Sequence, residues 1–208
     1  MNRYAVVVID LIKGLVDAGA TGDHDFEART RSILPSVRRV LAEARAAAIP
    51  VVHVRIVHRR TPDGRLDDGG LSEMLRRQDA ILGVKSPGVE LVEGSEWVEF
   101  LDEVKPEAGE YVVRKNRYSA FYGGDFGTLL EALRVDTLIV VGVATNFCVR
   151  ATCLDAFQKG WRTVVPREAV NTYSDRAQEQ GLEDLQMTTT DVVGLEEAVR
   201  LIRQAKEG

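Results

Sequence analysis

Two short apolar runs, YAVVVI (4–9) and TLIVVG (137–142), constrain this chain most. Neither alternates apolar with polar residues, so each suits a strand buried on both faces. Strands of that kind belong to parallel sheets covered by helices on either side. Further β-rich runs are PVVHVRIV (50–57), YVVRK (111–115), Arg162–Val165 and a short DVV (191–193). Helix-period segments separate them. One runs from about Ser32 to Ala48, with Val37, Val40, Leu41 and Ala44 at helical spacing and Pro35 admissible in the first turn. Others fall near Gly127–Leu133, from Cys148 onward, in a polar stretch after the fifth strand, and at the end of the chain. The expected architecture is a single α/β domain over residues 1–208. It has three αβα layers and a Rossmann-like, mostly parallel sheet of about six strands.

Composition narrows the function classes. With 208 residues, 45% hydrophobic and 28% charged, the chain is long enough to bury a proper core. A formal charge of -5 supplies no basic field, so no nucleic-acid partner is expected. No apolar run approaches the roughly 18 residues of a membrane span. The N-terminal MNRYAVVVIDL puts its short apolar run directly before an aspartate, unlike a secretory leader, and a cytoplasmic location is expected. Residues 58–96 are charged, Gly-rich and aperiodic, which fits a surface excursion, a lid or an oligomer contact.

In parallel α/β sheets ligands bind beyond the carboxyl ends of the strands. Three of these strand ends carry reactive groups: Asp10 after the first, Lys115 at the end of YVVRK, and Cys148 just after TLIVVG. Each has a plainer reading, as a turn cap, a solvated charge or a small core residue. Cys153 fits the plain reading, since it shares a helix face with Val149, Ala156 and Phe157. Five residues apart on one helix, the two cysteines lie about 140° apart around the axis, so they do not pair. Cys148 differs. A cap from Thr145 or Asn146 places it in the first turn, where free N–H groups and the helix dipole favour a thiolate. Lys115 favours the thiolate further, Asp10 is placed to take the proton, and the small residues of Gly142–Thr145 let backbone amides approach an oxyanion.

GVATNFCV with the following RATCLDA, KNRYSAF (115–121) and VVVID resemble, in that order, the isochorismatase-like cysteine hydrolases, and the resemblance spans almost the whole chain. It implies Cys148 as nucleophile, Asp10 as general base and Lys115 as third catalytic residue. It also implies a non-proline cis peptide before Ala144, an oxyanion hole from the Ala144 and Cys148 amides, and Thr145 holding the turn. The amidohydrolase branch, which includes enzymes of N-carbamoylsarcosine, ureidoacrylate and biuret, is favoured by the presence of the cysteine. Hydrolysis of a vinyl ether or another small molecule is the alternative.

This sequence departs from the family pattern in DLIKGL, where many members have an Asp-x-Gln segment, so the pocket floor differs. The Asp-x-His of metal-binding members is also missing. His53 and His58 are five apart, so strand alternation puts them on opposite faces, and no metal or other cofactor is expected. Candidate substrate contacts are Lys13, Arg117, Tyr118, Phe121, Thr145, Asn146 and Arg176, the cationic ones as grips for a carboxylate or polar head group. The expected partner is a small amide or ureido compound, and the resemblance implies a homodimer or homotetramer. A receiver-like or flavodoxin-like module is the rival from another class. VVVIDL has only one acidic residue for a receiver's Mg²⁺, and DLIKGLVD is not a flavin phosphate loop.

Overall fold

The computed structural model describes residues 3–67, 77 and 89–206. The strands are β1 (Tyr4–Ile9), β2 (Val51–Ile56), β3 (Tyr111–Lys115), β4 (Thr137–Val143), β5 (Arg162–Pro166), β6 (Val170–Asn171) and β7 (Thr190–Val193). All strand pairs are parallel, in the order β3-β2-β1-β4-β5-β7, with the two-residue β6 paired to β4 beyond the end of β5. The helices are α1 (Lys13–Val16), α2 (Ala18–Thr21), α3 (His24–Ala46), α4 (Phe126–Ala132), α5 (Arg150–Gln158), α6 (Asp175–Thr188) and α7 (Leu195–Lys206).

The continuous apolar runs are central, as two-sided burial requires: β1 lies between β2 and β4, and every residue of β4 is buried. Alternate side chains feed two cores. Val6, Val8, Ile139 and Val141 pack with Leu34, Val37, Val40 and Leu41 of α3 and Ile202 of α7. Ala5, Val7, Ile9, Leu138 and Val140 pack with Phe126 and Leu130 of α4, Cys153 and Ala156 of α5, and Leu185 of α6. Cys153 is therefore a core residue.

Three details differ from the sequence expectation. Helix α3 begins well before Ser32, because the Asp23 side chain accepts the Phe26 N–H at 2.9 Å and caps an earlier start. Pro35 consequently lies inside the helix. It sits on the solvent side while Ile33, Leu34, Val37 and Val40 bury the other, and that packing offsets the missing N–H. The seventh strand is β6, too short to leave a hydrophobic pattern. The described flanks of the 58–96 excursion fold back onto the sheet: His58 N–H donates to the Leu91 carbonyl at 2.7 Å, and Leu91, Val98 and Phe100 join Ile12, Ile56 and Val57 in a third apolar cluster. The lid or oligomer contact expected of this excursion falls largely on residues 68–76 and 78–88, outside the described residues. No helix among the described residues is long and apolar enough to cross a membrane.

Gly142 fixes the site edge. Its φ is +115°, and a Cβ there would come within 2.1 Å of the Ile9 carbonyl oxygen. Only glycine lets β4 lie this close to β1 just where the chain turns into Asp10. Gly142→Ala is therefore expected to cost about 3 kcal/mol or more in chemical denaturation. Gly160→Ala, whose Cβ meets open space at φ +89°, is expected to cost only about 1 kcal/mol.

Candidate active site

Asp10, Lys115 and Cys148 end on one edge of the sheet and meet there. Asp10 leaves β1 with a left-handed φ of 53°, which turns the chain off the strand. Its N–H donates to the Val54 carbonyl at 2.9 Å, and its Oδ1 accepts the Ile56 N–H at 2.8 Å. The carboxylate thus both caps the end of β2 and presents Oδ2 inward. Lys115 Nζ lies 2.7 Å from that Oδ2. The contact is an ion pair closed off from solvent on both sides. The directed donors of the ammonium go to the Arg117 carbonyl at 2.9 Å and to Cys148 Sγ at 3.3 Å. All three side chains are buried, Asp10 and Lys115 completely or nearly so.

Cys148 sits in a single π-helical turn, Thr145–Val149, that leads into α5. The Val143–Ala144 peptide before it is cis. The Ala144 carbonyl accepts both the Phe147 N–H (3.0 Å) and the Val149 N–H (3.2 Å). Neither Thr145 nor Asn146 caps this turn, contrary to the sequence expectation. Their side chains are taken by tertiary partners. Thr145 Oγ1 donates to Gln178 Oε1 at 2.7 Å, and Gln178 Nε2 donates to the Val170 carbonyl at 2.9 Å. Asn146 Oδ1 accepts from Thr172 Oγ1 at 2.7 Å, and its Nδ2 donates to Tyr173 OH at 3.4 Å. Gly181 of α6 lets that helix approach, since a Cβ there would stand 3.3 Å from Thr145 Cγ2.

Burial works against the thiolate that the helix position favours. Burial pushes the Cys148 thiol up to about 12; Lys115 opposes this, and the Asp10 carboxylate adds to it. Lys115 itself is held above the ordinary lysine value. Burial works against its charge, but the neighbouring Asp10 carboxylate, and next Cys148, outweigh that penalty. Burial thus works against the thiolate at Cys148, and the Lys115 ammonium works for it.

The Isochorismatase domain matches residues 4–197. The chain belongs to the isochorismatase family. N-carbamoylsarcosine amidase of Arthrobacter sp is 33% identical over 202 residues, covering 97% of this chain and 72% of that protein. Maleamate amidohydrolase of Pseudomonas putida is 31% identical, covering 97% of this chain and 88% of its own. A solved isochorismatase family protein from Desulfovibrio vulgaris aligns with a TM-score of 0.79 at 25% identity, over 98% of this chain and 100% of that one.

Within this isochorismatase-family chain the remaining candidates separate. Tyr118 lies within electrostatic reach of Cys148, and its ring packs on Phe147, centroids 5.4 Å apart. Phe121 is taken up by packing, edge-on to Phe126 and stacked on Trp161, which adjoins the amino end of β5. Arg117 is spent on structure: Nη1 donates to the carbonyls of Asp67 (3.2 Å) and Asn116 (2.6 Å), and the guanidinium lies over the Tyr122 ring. Lys13 opens α1, half-buried, and Arg176 is exposed in the first turn of α6. His53 Nε2 pairs with Glu110 at 2.9 Å on the α3 side of the sheet, where Glu110 also holds Arg45. His58 Nδ1 stands 3.9 Å from Asp67. No metal-holding cluster occurs among the described residues.

Sequence reasoning missed Thr152 and Gln178. Thr152 Oγ1 donates to the Cys148 carbonyl at 2.7 Å and accepts the Ala120 N–H at 3.1 Å, tying the cysteine turn to the loop after β3. Its signal was present, four residues beyond Cys148 on one helix. Gln178 has no such local signal.

Two outcomes follow from this geometry. Alkylation of Cys148 by iodoacetamide is expected to accelerate about tenfold per pH unit from pH 7 to 10, following the thiolate fraction. A rate flat above pH 7 would instead reveal a preformed thiolate. Lys115→Met is expected to cost about 3–5 kcal/mol by leaving the Asp10 charge buried alone. In a double-mutant cycle, Asp10→Asn with Lys115→Met should cost well under the sum of the single changes.

Proposed function

We propose that this protein hydrolyses a C–N bond in a small amide or ureido compound, by nucleophilic attack of Cys148 and through a thioester. The amidase and amidohydrolase names of its relatives mark the chain as a hydrolase acting on carbon–nitrogen bonds other than peptide bonds. The observation that carries the cysteine mechanism is the contact set of one ammonium, with Asp10 Oδ2 at 2.7 Å and Cys148 Sγ at 3.3 Å.

In the proposed reaction, Asp10 removes the thiol proton as sulfur attacks the substrate carbonyl carbon. Asp10 suits that role because its carboxylate lies against the same ammonium that contacts Cys148 Sγ. Lys115 offsets the negative charge that passes to sulfur. The N–H groups of Ala144 and Cys148 stabilise the tetrahedral oxyanion. The C–N bond then breaks, and the proton held on Asp10 leaves with the amine or ammonia. Water attacks the thioester carbonyl and gives a proton to Asp10. The C–S bond breaks, the sulfur recovers that proton, and the acid is released.

Thr145 and Asn146 serve as positioning residues for the cysteine turn, through Gln178 and Thr172. Of the cations, Lys13 and Arg176 remain the candidates for a carboxylate grip, since their side chains are not tied to main-chain carbonyls as that of Arg117 is.

The test is ammonia release from a panel of N-carbamoylsarcosine, maleamate, ureido acids and biuret-like compounds. Cys148→Ala is expected to lower turnover of the best substrate at least about a thousandfold, and Cys153→Ala to leave it within about threefold. Rapid quench and intact mass should show an acyl adduct on Cys148. Full turnover by Cys148→Ala would sink the mechanism.

A further inference from the structure

The Tyr118 hydroxyl, near the three reacting side chains, is a buried polar atom without a partner among the described residues. A phenol in that state loses its water contacts without replacement, so a buried tyrosine ordinarily finds a partner. Tyr173, in the same run of rings, does so: Phe147 stands 5.4 Å from Tyr118 and 6.1 Å from Tyr173, and the Tyr173 hydroxyl accepts from Asn146. Phenylalanine at 118 would keep the same packing without the desolvation penalty. The unpaired hydroxyl is also within electrostatic reach of Cys148. Burial, and next the proximity of Cys148, push its proton affinity up to about 12, so it remains a phenol that both donates and accepts. Phe147 immediately precedes Cys148, and the Tyr118 ring joins the second core to the apolar cluster of Ile12, Ile56 and Phe100.

We propose that Tyr118 is a substrate-contacting residue, its hydroxyl hydrogen-bonding the amide or ureido group while its ring and Phe147 pack against that group's flat face. Resting on the C–N hydrolase reading, this deepens it: the group next to the scissile bond is planar, neutral and polar. Recognition there uses a phenol and an aromatic wall, and no cation is needed. A substrate completes the hydrogen bonding of the site, and a compound lacking the polar group leaves the phenol unpaired.

The experiment compares Tyr118→Phe with the parent on the panel compound turned over fastest. It adds thermal unfolding without substrate and the rate of Cys148 alkylation. Tyr118→Phe is expected to lower kcat/KM about 10- to 100-fold, with an unchanged or raised melting temperature and an unchanged alkylation rate. Full kcat/KM in Tyr118→Phe would overturn the proposal, leaving the hydroxyl to a bound water. A fall in activity matched by lower stability or altered alkylation would also overturn it, because Tyr118 would then act through the fold or through Cys148. Cys148→Ala, run in parallel, reports separately on the hydrolase mechanism: activity retained there defeats the cysteine reading, whatever Tyr118→Phe shows.

Discussion

The buried pair of Asp10 and Lys115 is the constraint around which the rest of the site is arranged. Two full charges withdrawn from water persist only when each is closely matched and the remaining donors and acceptors are used. Here the matching comes from three strands. Asp10 takes the Ile56 N–H, and Lys115 reaches the Arg117 carbonyl and the Cys148 sulfur. The same carboxylate that closes the end of β2 pairs with the ammonium that contacts the Cys148 sulfur, so loss of the pair would disturb the sheet edge and the site together. Such a pair is a poor source of stability compared with apolar packing of the same volume. Its presence in the middle of this edge fits a catalytic use better than a structural one.

Around that pair, the cysteine turn is held from outside. Thr152 fixes the Cys148 carbonyl to the loop after β3, Gln178 of α6 holds Thr145, and Thr172 with Tyr173 holds Asn146. Gly142 and Gly181 are where backbone and helix come close enough for this bracing. A helix start that depended only on its own caps would leave sulfur free to move. Bracing by neighbouring elements fixes it relative to Lys115 and Asp10.

Much of the fold was legible because two-sided burial writes itself into local sequence. YAVVVI and TLIVVG mark the central strands, YVVRK matches β3 residue for residue, and the helix near Gly127 was displaced by a single residue at each end. The early start of α3 was not legible, since its first turns carry no apolar stripe and only the Asp23 cap declares them. The two-residue β6 leaves no period to detect. Among the site candidates, strand-end position singled out Asp10, Lys115 and Cys148. Arg117 and Phe121 could not be sorted the same way, because whether a side chain is free depends on distant partners such as Asp67 and Trp161.

By itself the sequence determined the parallel α/β architecture and which three strand ends carry a carboxylate, an ammonium and a thiol. Hydrophobic period and chain order are local properties, and strand ends follow from them. The tertiary structure alone decided the state of those groups. It buried Cys148, which raises the thiol's proton affinity where helix position favours a thiolate, engaged Arg117 with backbone carbonyls, and left the Tyr118 hydroxyl without a partner among the described residues. Desolvation and hydrogen-bond satisfaction depend on what surrounds a group in space, and residues far apart in the chain supply most of those surroundings.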